Sequence, residues 1–250
     1  MGKSLVAILL AMAAGSAQWI YVPTPGIPRT RDGKPNLAAS APKTADGKPD
    51  FSGIWRASDG KYLRNLASDI GEAPFQPWAA ALYKERQANN GMGRPHERCL
   101  PHGVPDFETL AQPIKLVQTP GMIVMLFEAY NQYRQIFTDG RGHPKDDPQP
   151  TWLGYSVGKW EGETLVVDTI GFHDRTWLDD GGHPHSDALR VIERFRRRDF
   201  GHMEIQVTID DSKAYTKPWG ATIPYALLAD TELIENICEN ERDATHLVGK

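Results

Sequence analysis

A succession of short β-type segments limits the fold more than any other feature of this sequence. From Ile114 onward the chain reads IKLVQ, MIVMLFE, QYRQIFTD, LGYSVGKW, ETLVVDTIGF, ALRVIERFRRR, HMEIQVTID and TELIENICE. These segments are rich in β-branched and aromatic residues and are separated by Gly, Pro, Asn or Asp, which predicts strands. The joins WEGE at 160–163 and RDFG at 198–201 have hairpin lengths. Hairpins in series without intervening helices give an antiparallel meander. A meander this long protects its edges by closing into a barrel or folding into a sandwich.

Three regions precede the strands or surround them. Residues 1–17 combine Lys3, an apolar run from Leu5 to Ala14, and small residues at Gly15 and Ala17, the pattern of a cleaved signal peptide. Residues 18–50 are rich in Pro, Ala, Thr and Lys, and RDGKPNL at 31–37 is echoed by ADGKPDF at 45–51. Such a composition predicts a flexible arm with two similar turns. Residues 51–250 then form a single β-rich domain, which includes one short helix over 74–90, where Pro77, Trp78 and Leu82 fall at helical positions. Within PDFSGIW, the spacing of Gly53 and Trp55 resembles the first strand of lipocalin-like barrels, in which the Trp plugs the closed end. That resemblance selects a lipocalin-like barrel over a sandwich. The wider set DGKPDFSGIW, CLPHGVP, QIFTDGR, PTWLGYSVGKWEGETLVVDTIGF and GHPHSDALRVIERFRRRDFGHMEIQVTID, over roughly residues 42–240, is similar to a large group of exported bacterial proteins. The resemblance implies export and a mostly β domain, and it carries over no catalytic residues.

Charge and cysteine usage restrict the partners. The formal net charge of −4 comes without a long basic block, so a nucleic-acid partner is not expected. No segment has the eighteen or so consecutive apolar residues of a membrane span. Export places Cys99 and Cys238 in an oxidising periplasmic or extracellular compartment, where an even pair predicts one disulfide. Closing a loop of ~140 residues in the unfolded chain is worth about 4 kcal/mol.

The residues able to carry chemistry concentrate in WLDDGGHPHSDALRVIERF at 177–195. In an extended chain His183, His185 and Asp187 project to one side, the disposition that two imidazoles and a carboxylate need to hold one transition-metal ion. The same parity puts Glu193 with Leu189, Val191 and Phe195 on an apolar face. A carboxylate there must be paired or perform a function, and Arg134 is its natural partner, because QYRQIF also places it beside inward Ile136. His173 and Tyr155 extend the set, since a His near an Asp is a tuned base and a phenol can donate to an anionic intermediate. Trp152 and Trp177 lie at strand ends or turns, where rings line ligand mouths. Gly-x-Ser-x-Gly, His-Glu-x-x-His, Cys-x-x-Cys and phosphate-binding Gly loops are absent from the sequence, which removes the hydrolase, protease and nucleotide schemes they mark.

The expected function is an exported β-barrel enzyme acting on a small apolar or aromatic molecule by His/Asp/Glu proton transfer, of lyase or isomerase type, with no cofactor. Two alternatives stand beside it. One is a metal-dependent enzyme using His183, His185 and a carboxylate, and the other is a lipocalin-like binding protein without catalysis. The site expectation rests on His183, His185, Asp187 and Glu193 facing one cavity.

Overall fold

The structure is a computed structural model that describes residues 22–145 and 149–238. The expected leader at 1–17 lies outside the described residues. Nine strands close into one barrel. They are β1 (Gly53–Ala57), β2 (Ile114–Thr119), β3 (Met122–Phe127), β4 (Gln132–Phe137), β5 (Tyr155–Glu161), β6 (Thr164–Ile170), β7 (Arg190–Arg197), β8 (His202–Asp210) and β9 (Trp219–Leu227). Neighbours follow chain order, and β1 closes the ring by pairing with β9 as well as β2.

Seven of the eight segments expected after Ile114 are strands, and the eighth is not. Among its described residues TELIENICE carries only an isolated bridge from Asn236 to Ala129, and the ninth strand is WGATIPYAL instead. Its alternation is complete in the fold: Trp219, Ala221, Ile223, Tyr225 and Leu227 point inward and Pro224 outward. Gly220 is required there, because a Cβ would stand 1.8 Å from the Val207 carbonyl oxygen of β8. The meander also departs from a purely antiparallel one. β4 and β5 run parallel and share two residue pairs, Ile136↔Ser156 and Phe137↔Val157.

The barrel is filled with side chains. Trp55, Met125, Phe195, Ile205 and Tyr225 are buried within it, and Arg134, Glu193 and Glu108 form a charged group among them. Trp55 seals one end: its Nε1 donates to the Phe51 carbonyl at 2.9 Å, and the Arg197 guanidinium lies 4.8 Å from the ring. The arm runs along the outside of the barrel, with main-chain bonds from Phe200 to Ala39 and from Gly201 to Leu37, and with an Arg29–Asp230 ion pair. Its repeated sequence makes the same turn twice, since Thr30 and Thr44 each accept from Gly three residues on and donate to a Lys carbonyl.

The other mouth is covered by helix α1 (Pro77–Ala88), a single 3-10 turn (Pro95–Arg98), helix α2 (Asp106–Thr109) and the long loop between β6 and β7. A helix over 74–90 was expected, whereas α2 is too short to leave a periodic signal. A disulfide joins Cys99 to Cys238, with the two Cα atoms 5.5 Å apart. No helix among the described residues is long and apolar enough to cross a membrane.

Candidate functional site

The covered mouth gathers His96, His102 and Asp180. Each offers one ligand atom, and the three atoms lie within 4.8 Å of one another. Among the described residues this is the one group of three His, Cys, Asp or Glu donors with the spacing of a metal site. Local structure explains why the chain delivers them. Pro95 starts the 3-10 turn that carries His96, and Cys99, in the left-handed region at φ 56°, ends it while fastened to Cys238. His102 follows three residues later, and the next turn begins α2, whose first residue is Asp106. Asp180 arrives from the β6–β7 loop. Gly181 lets that loop press against the chain near Arg64, because a Cβ would sit 1.9 Å from the Arg64 carbonyl oxygen.

His102 is 4 % exposed, and its Nδ1 donates to Asp106 Oδ2 at 2.7 Å. This bond fixes the ring's tautomer and leaves Nε2 as the free donor atom, the outer-shell arrangement of a metal-binding imidazole. Burial opposes a charge on His102, but the charge and hydrogen bond of Asp106 outweigh it and raise the pKa. His96 behaves oppositely. Burial, with His102 beside it, lowers its pKa to about 4, so it is neutral near neutral pH, and its 3.5 Å approach to Asp180 is not an ion pair. Burial also raises the pKa values of Asp106 and Asp180. Asp180 Oδ1 and Asp106 Oδ1 are both buried without a hydrogen-bond partner. Two orphaned carboxylate oxygens in one cluster call for an occupant, since buried polar atoms are nearly always satisfied. Arg94, 3.8 Å from Asp180, and the half-buried ring of Tyr130, 5.2 Å from His102, complete the surround.

The donor set of two imidazoles and a carboxylate suits a transition ion and leaves positions open for water or substrate. One adjustment is needed. The two imidazoles are stacked, with centroids 4.5 Å apart and planes 11° from parallel, whereas a shared ion must lie near the plane of each ring. His102 is held by Asp106, so His96, on the half-buried 3-10 turn, is the ring that must rotate.

The residues expected from the sequence are placed elsewhere, and the expectation of one shared cavity is corrected. His183 is 1 % exposed, with its Nδ1 bonded to Asp179 Oδ2 at 2.6 Å and its ring packed against Phe75, Tyr83 and Trp219. His185 lies in another pocket, where its Nδ1 donates to the Ser186 carbonyl and its Nε2 accepts from Thr176 Oγ1. Burial lowers its pKa. Asp187 points into solvent, with a side chain 71 % exposed and paired to Lys213. The extended-strand geometry assumed for 183–187 fails because 182–186 are an irregular stretch of the β6–β7 loop, pinned where the Pro184 carbonyl accepts from the Tyr215 hydroxyl, and the chain then turns at Asp187 and Ala188. Glu193 does face the barrel interior, as its parity requires, and there it is bonded to Arg134. Arg134 also donates to Glu108 at 2.9 Å, Ser156 at 3.0 Å and Thr169 at 2.9 Å, which satisfies the guanidinium fully.

Tyr155, Trp152 and Arg134 do come together, as lining of a slot of about 370 Å³ between β4 and the chain leading into β5. Trp152 carries the His173 ring stacked 5.1 Å away and the Arg175 guanidinium at the same distance. Trp177 is buried under Arg86, which lies 4.2 Å from its ring. Comparison with models of known protein families and with curated proteins found no match to this chain.

Proposed function

We propose that the protein is an exported β-barrel enzyme that acts on a small apolar or aromatic molecule at the covered mouth, using one transition-metal ion held by His96, His102 and Asp180. The observation that carries the reading is the convergence of these three ligand atoms within 4.8 Å around an imidazole already oriented by Asp106. A bound ion would supply Lewis acidity or an activated water. The chain's own residues hold the ligand geometry: Asp106 fixes His102, and the Cys99–Cys238 link fixes the turn between the two histidines. That link also supports export, since such bonds persist in oxidising compartments, as does the resemblance to exported bacterial proteins.

The 2.7 Å His102–Asp106 bond favours a second reading, metal-free proton transfer, because a carboxylate-paired imidazole is a tuned acid or base without any ion. Tag-free protein titrated with zinc in native mass spectrometry separates the two. One ion per chain is expected, with the mass step lost in His102→Ala. Absence of zinc from the folded wild type rejects the metal reading and leaves the dyad.

A further inference from the structure

A closed barrel with an odd number of strands must contain at least one parallel neighbour pair, because alternating directions cannot close on an odd count. Here that pair is β4–β5, held by two residue pairs while every other seam of the barrel is antiparallel. Below Ile136 the two chains part. Residues 132–134 of β4 pair with β3 on one side, and on the other they carry no pairing to residues 151–154 among the described residues. The facing chain bends at Trp152 and Leu153 and is fastened on its far side, where Thr151 bonds to Gly171 and His173. The opening between them is the slot of about 370 Å³. Its walls therefore include a length of strand edge to which no strand pairs among the described residues, beside Tyr133, which is 61 % exposed, and Trp152. An open edge of this kind is a template for strand addition.

We propose that this slot is the docking site of an extended peptide segment of a partner polypeptide, about four residues long, paired antiparallel to β4. A strand in that place would run antiparallel to the chain leading into β5 as well, filling the gap below the two-pair parallel seam, which stays in place. Side chains of the segment alternate. Those turned inward face Arg134 and Ser156, which are already buried and hydrogen-bonded to each other, and are small, and those turned outward are flat and pack on Tyr133 and Trp152. Charge at the rim defines the segment further. Arg175 lies 5.1 Å from the Trp152 ring, is exposed, and has no acidic partner within ion-pair distance among the described residues, so an acidic residue is expected at that end of the peptide. The inference stands on the strand edge and is independent of the metal reading.

The test is to pan a random dodecapeptide library against the full chain and to map amide exchange in the complexes. Enriched peptides are expected to share the alternation, to carry an acidic residue, and to slow exchange in residues 132–135 at least tenfold. The surface variant Tyr133→Ala with Trp152→Ala, checked for native circular dichroism, is expected to bind them at least tenfold more weakly, and Arg175→Glu several-fold more weakly. Failure to enrich any peptide overturns the proposal. So does enrichment of peptides that protect other segments, or that bind the double variant unchanged.

Discussion

Two buried histidine–aspartate pairs lie at the same end of the barrel, and they differ in what their spare atoms do. In His183–Asp179, the carboxylate accepts from the Leu66, Gly182 and His183 main-chain N–H groups at 2.7 to 3.1 Å as well as from the ring. Three aromatic rings pack around the imidazole. Every oxygen of that pair is occupied, so it ties a loop to the barrel. In His102–Asp106 the bond is just as short, yet Asp106 Oδ1 has no partner, and a second imidazole and a second partly orphaned carboxylate stand beside it. The residue types and their i, i+4 spacing are the same in both. Satisfaction of the remaining polar atoms is what separates a structural pair from one arranged for chemistry.

The comparison breaks if the two aspartates respond alike. Asp179→Ala leaves three buried N–H groups and an imidazole without acceptors, and a loss of about 3 kcal/mol in folding stability is expected. Urea denaturation measures it, and zinc uptake by the folded protein should be unchanged. Asp106→Asn keeps the shape but removes the charge that orients His102. Zinc affinity is expected to fall about 10- to 100-fold, with a stability change under about 1 kcal/mol. Calorimetric titration of zinc, paired with urea curves for both variants, decides the matter. A destabilised Asp106→Asn protein with intact zinc affinity would make this pair structural too.

Much of the barrel was legible in the chain because strands carry a period of two. Seven strands, the inward parity of Glu193 and the pairing of the two cysteines all follow from local pattern or from simple counting. β9 escaped because Gly220 and Pro224 interrupt its composition, although its alternation is complete. The mouth cluster escaped for a different reason. His96 and Asp180 are joined through chain crossings that no local period encodes, and the nearest clue was the cysteine pair itself, since His96 and His102 each lie three residues from Cys99. The reading of His183, His185 and Asp187 failed on a specific point: parity holds for an extended strand, and here the two histidines lie in an irregular loop and Asp187 in the turn that ends it.

An orphaned oxygen also marks a second place, where the contrast sharpens. Helix α2 turns Asp106 toward the mouth and Glu108 into the barrel, where Glu108 Oε1 accepts from Arg134 while Oε2 has no partner. Arg134 is one cation between two carboxylates, and it already binds Glu193 with both terminal nitrogens. Burial, and then the charge of Glu193, push the Glu108 pKa up to about 8 against the pull of Arg134. The folded state therefore holds a proton that the unfolded chain, with its ordinary value near 4.5, releases earlier. A raised pKa gives stability that is fully present below the unfolded value and lost as pH rises through the folded one. The urea midpoint of the wild type is expected to decline as pH rises from about 4.5 through about 8. Glu108→Gln, which keeps the uncharged shape, should lose that part of the decline. This is the smallest of the expected effects, but it tests the same rule in a setting without histidines. An identical slope in both proteins would mean that Glu108 is ionised beside Arg134 despite its unpartnered oxygen, and an orphaned carboxylate oxygen would then no longer distinguish the two pairs at the mouth.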